Sequence, residues 1–147
     1  MAEIINIQHS DIIYAVRNKT HKIGKSAAAD PRAESNMQAD DTTQDTKIVS
    51  DSIDKAIGNV IREMSKYVAN TLHNDGMTTI VFAMPATWRS ENKNGMITDI
   101  YNFIVDFCVF EFMTTARRMD EAKTYLALAN ASLANAKKKM LDKKSPI

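Results

Sequence analysis

Three carboxylates, Asp99, Asp106 and Glu111, fall inside a stretch that is otherwise mostly apolar, rich in isoleucine, phenylalanine and valine. Carboxylates held among apolar neighbours have raised pKa values and suit acid–base work. Their spacing does not bring all three to one face of a helix, so a solvated edge, or pairing with Arg117 or Arg118, is the expected role. His9, His21 and His73 lie on different segments, and none stands four residues from another as two metal ligands on one helical face do. They read as isolated surface histidines. Cys108 sits among aromatic residues with no histidine near it in sequence, the setting of a small buried hydrophobe rather than a nucleophile. Gly24-Lys25-Ser26 ends as a phosphate-binding loop does, but position 19, where that loop needs a further glycine, is Lys19. A glycine-capped helix end is the reading. No catalytic, cofactor-binding or metal residue is assigned, so a protein that is not an enzyme and has no cofactor is expected.

Elements able to carry these residues are mostly helices. Four glycines and three prolines in 147 residues are few, which disfavours a many-turned all-β chain, and the length suits one domain. A formal net charge of +1 leaves no global attraction to nucleic acid. One cysteine permits no internal disulfide, and the first residues lack the basic and apolar regions of a secretory signal, so a reducing cytoplasm is expected. The apolar run 96–113 is long enough to raise a membrane question, but its acids make it a buried helix, with no membrane partner.

The fold class expected is mainly α, a helical bundle of about four helices with one or two short β-strands and a long mobile loop. Residues 1–25 hold a strand at 4–7 and a first helix, capped at Ser10-Asp11 and stopping near Gly24. Residues 26–46, rich in Ala, Asp, Ser, Gln and Thr, read as a flexible loop or arm. The bundle core spans 47–142. Its second helix begins near 46 or 50 and runs to about 73, with Val49, Ile53, Ala56, Ile57, Val60, Met64, Tyr67, Val68 and Thr71 at helical steps, and Asn74-Asp75-Gly76 ends it. A strand at 78–84 follows, its partner being either segment 4–7 or a neighbouring subunit.

The third helix, 96–119, is apolar nearly all round. Tyr101, Phe103, Phe107 and Phe110 spread beyond a single stripe and are the expected oligomer interface. The fourth helix, about 120–142, carries a heptad seam of Ala122, Leu126, Ala129, Leu133, Ala136 and Met140, and should lie antiparallel on the third. Lys137, Lys138, Lys139, Lys143 and Lys144 form a basic end with a tail at 143–147. They either meet DNA phosphates or complement the helix dipole.

From about residue 50 to the end, the order of elements resembles that of small head-to-tail connector proteins of tailed phages, the adaptor or neck-ring proteins found in gut Bacteroidales phages. The residues that carry it are a helix over 53–72, then Ile80-Val81-Phe82-Ala83-Met84-Pro85-Ala86-Thr87-Trp88, the apolar helix over 97–112, and a last helix with Tyr125, Ala129 and Leu133 ending in Lys143-Lys144-Ser145-Pro146. The resemblance implies a virion subunit, made in the host cytoplasm, in a homo-oligomeric ring of about twelve copies beneath the portal protein. It further implies Trp88 and Arg89 as a docking loop, adjacent neck or tail proteins as partners, and the lysines as channel contacts with genomic DNA or contacts with the tail. Three alternatives stand beside it: a small helical scaffolding or regulatory module binding one protein partner, a tail-terminator or tail-completion protein, and a nucleic-acid-binding helical protein that uses the lysine end.

Overall fold

A computed structural model describes residues 2–26 and 43–144; most of the expected loop, residues 27–42, and the tail residues 145–147 lie outside the described residues. The described chain is mainly helical. Strand β1 (Ala2–Gln8) leads into helix α1 (His9–Ser26), and helix α2 (Thr43–Glu63) leads into β2 (Val68–Asn74) and β3 (Met77–Ala83). A single 3-10 turn (Ser90–Asn92) then opens α3 (Lys93–Thr115), and α4 (Met119–Leu141) closes the fold.

Helix α3 is the axis on which the rest is built. Met96, Ile100, Phe103, Ile104, Val105, Cys108, Val109, Phe112 and Met113 are all buried, which takes up most of its circumference. Its cover comes from three helices of the same chain, α1, α2 and α4. Helix α1 contributes Ile12 and Val16 one turn apart, and α2 contributes Val49, Ile53, Ala56, Ile57 and Val60. The polar residues buried with them are satisfied locally, Ser52 Oγ donating to the carbonyl of Ile48 and Thr20 Oγ1 to that of Arg17. Helix α4 lays Ala122, Ala129, Ala136 and Met140 against α3, with Leu126 and Leu133 half-buried between them, as the heptad seam predicts. The ion pair between Asp99, near the start of α3, and Lys139, near the end of α4, shows that they run antiparallel.

The sheet has the order β1-β3-β2, antiparallel throughout, with Ile5 opposite Ile80 and Thr71 opposite that same residue on the other side. Segment 4–7 is thus the partner of β3 within this chain. Ile5, Ile7, Ile80 and Phe82 point into the core, and alternation sends their neighbours outward.

Several boundaries depart from the periodic reading. Helix α1 starts at His9 and continues through Gly24 to Ser26, so that glycine does not end it. Helix α2 starts at Thr43, inside the segment read as loop, and stops at Glu63 rather than near 73. Residues 68–74 form β2 instead, and Asp75-Gly76 is the two-residue turn of a hairpin, Gly76 taking φ +71°. The reason is a competition: 64, 67, 68 and 71 satisfy a helical period, but β3 has a second edge whose backbone groups need partners. Pairing with 68–74 supplies them.

Candidate interaction surfaces

The carboxylates of α3 are structural ties. Asp106, only 5 % exposed, accepts from Lys19 of α1 at 2.6 Å. Asp99 is paired with Lys139 of α4, and Glu111 lies 3.6 Å from Lys55 of α2. Each acid therefore binds α3 to a different helix through a lysine. The expected partners Arg117 and Arg118 sit instead in the turn after α3, where Arg118 pairs with Glu121. Burial drives the Cys108 thiol far above the usual thiol range, so it stays protonated.

Two of the three histidines, read as isolated, are brought together. His9 Nε2 lies 2.9 Å from the buried hydroxyl of Thr78, and His73 Nδ1 lies 3.3 Å from the same oxygen. They stand at one side of a cleft of about 510 Å³ shared with Asp54 and Asn74. The meeting of the first turn of α1 with α2 and β2 creates it, and no sequence spacing announces a contact between positions 9 and 73. Among the described residues no group of three or more His, Cys, Asp or Glu is placed to hold a metal ion, and no helix is long and apolar enough to cross a membrane.

The expected docking residue Trp88 is 4 % exposed and belongs to the interior. Its indole N–H donates to the carbonyl of Lys139 at 2.9 Å, and its backbone bridges Lys143. Arg89 donates to the carbonyl of Lys143 and lies 3.6 Å from the Asp142 carboxylate. This loop docks on the end of its own α4. The lysine run is likewise divided, because successive residues on a helix point 100° apart. Lys137 turns to Glu63 at 3.6 Å, Lys139 turns to Asp99, and Lys138 points to solvent between them. Lys143 and Lys144 are exposed, the latter donating its backbone N–H to the carbonyl of Thr87. One continuous basic face does not form.

Of the aromatic residues expected at an interface, Phe103 is buried in the core of its own chain, and Tyr101 is exposed with its hydroxyl on the carbonyl of Asp11. Desolvation, with the nearby Asp11 carboxylate, raises the Tyr101 phenol above its ordinary pKa. Phe107 and Phe110 are half-buried, their ring centres 5.7 Å apart and their planes tilted by 58°. Phe107 borders a groove of about 420 Å³ between α2, α3 and α4 whose other walls include Asn130, Leu133 and Ala134.

Two open surfaces remain that the sequence reading missed. The outer face of the sheet is the first: its cross-strand rungs are Ala2–Ala83, Ile4–Val81–Asn70, Asn6–Thr79–Leu72 and Gln8–Met77–Asn74. None of these residues is charged, although a quarter of the chain is, and Ile4 and Leu72 are about half exposed. Thr79 donates to Asn6 across it at 2.8 Å. Alternation of polar and apolar residues along β1 signals the face, but its lack of charge becomes visible only when three strands are aligned. The second is the outward side of α4, where residues 124–136 carry no charge. No protein-family model, curated protein or solved structure matches this chain.

Proposed function

We propose that this protein is a non-catalytic structural subunit whose work is assembly, and that its place is the neck of a tailed-phage virion, in a connector ring between portal and tail. The observation that carries the assembly reading is the uncharged outer face of the β1-β3-β2 sheet. Charged residues are depleted from the cores of interfaces, whereas a face meant for water carries them. The phage setting is supported by the resemblance of residues 50–147 to connector proteins. In this reading the genomic DNA contacts fall to Lys143 and Lys144, which are exposed and have no carboxylate partner among the described residues.

A single-partner scaffolding module is the second reading, favoured by the groove beside Phe107. Electron microscopy of the concentrated protein separates the two. A closed ring of about a dozen subunits, dispersed by the double substitution Ile4→Lys and Leu72→Lys, is the connector result, since a heterologous contact that closes gives cyclic symmetry. Particles no larger than a dimer at every concentration would set the connector aside in favour of the module.

A further inference from the structure

We propose that the outward face of α4 pairs with the same face of a second copy of this chain, the two helices antiparallel across a two-fold axis. The inward seam of α4 is filled by α3. On the opposite side Asp120, Thr124, Ala127, Ala131, Ala134 and Lys138 recur at alternating steps of four and three, and all are exposed. That is a second heptad stripe on one helix, with nothing among the described residues covering it. Leu128, 49 % exposed, flanks it. The solvated side of α2 looks different, carrying Asp51, Asp54, Lys55, Arg62 and Glu63.

Charge says what covers the face. Its only charged members are Asp120 at the first turn and Lys138 at the last, and neither has an ion-pair partner among the described residues, whereas the neighbouring Lys137 and Lys139 do. When two copies are aligned antiparallel about Ala129, Asp120 meets Lys138, Thr124 meets Ala134 and Ala127 meets Ala131. The acid–lysine contact then occurs twice, once at each end. The two helix dipoles oppose each other in the same arrangement, which favours it further. A parallel alignment sets like charges together at both ends. The alanines allow the helix axes to approach closely, and the two-fold axis places Leu128 of one copy beside Leu128 of the other. This contact does not rest on the connector reading, and it leaves the sheet's outer face open.

The test is sedimentation equilibrium of the full chain and its variants. The wild type should form dimers in a concentration-dependent manner. Asp120→Lys alone and Lys138→Asp alone should each weaken the dimer by roughly tenfold, because each reversal strikes two symmetric contacts. The double variant, with both charges exchanged, should return to near the wild-type value. Leu128→Cys should give a disulfide-linked dimer on mild oxidation, Cys108 being buried. Ala131→Glu should leave the helical content unchanged and yield a monomer. A dimer indifferent to Ala131→Glu, or a charge exchange that fails to restore what the single reversals removed, overturns the proposal.

Discussion

Lys19 shows how much one side chain can hold in this fold. Its ammonium reaches Asp106 of α3 and lies 5.7 Å from the ring centre of Tyr125 on α4, so it links three helices. Lys19→Met leaves the Asp106 carboxylate buried and unpaired, and should cost about 1–3 kcal/mol by urea denaturation, moderated because the lysine is partly solvated. The double variant Lys19→Met with Asp106→Leu should recover most of the loss; no loss in the single variant would contradict the assignment. Glu121 gives a pH signature. A bond to its own backbone N–H in the first turn of α4, with help from Arg118, holds its carboxyl below its ordinary value of 4.5. A lowered folded pKa means stabilisation that is present above the unfolded value and lost as pH falls through the folded one. Glu121→Gln should therefore cost about 0.5–1 kcal/mol at neutral pH and nothing in strong acid, as thermal melts across pH would record. Such roles were only half legible. The sequence shows acids inside an apolar helix, but their lysine partners stand far away in the chain and are set by tertiary packing.

At the scale of elements, the turn between α3 and α4 is strained at a single residue. Arg117 has φ +59°, and the N–H of Arg118 reaches the carbonyl of Met113 while that of Arg117 reaches Thr114, the pattern in which glycine usually stands. Arg117→Gly should stabilise by about 1 kcal/mol, read as a raised melting temperature. Gly58 is the reverse case: it lies inside α2 with open space where a Cβ would go, so Gly58→Ala should gain about 0.5–1 kcal/mol in denaturant midpoint. A loss at either site would contradict these geometries. Helices α3 and α4 were legible because one is apolar all round and the other carries a strict heptad, patterns with few other solutions. The end of α2 was not, since Met64, Tyr67, Val68 and Thr71 keep helical spacing while belonging to a turn and a strand. The sharper local signal, Asp75-Gly76 set between two seven-residue runs, marks the hairpin.

For the whole molecule, the apolar surface of α3 that suggested a neighbour is largely covered by the chain's own helices, and the open surface lies on the sheet and on α4. In the proposed function these uncharged faces are covered by other subunits. Light scattering of the purified chain over a wide concentration range tests this most directly. The expected result is a mass that climbs from the 16.4 kDa subunit through a dimer toward a closed ring. A mass fixed at that of the single subunit throughout would contradict it.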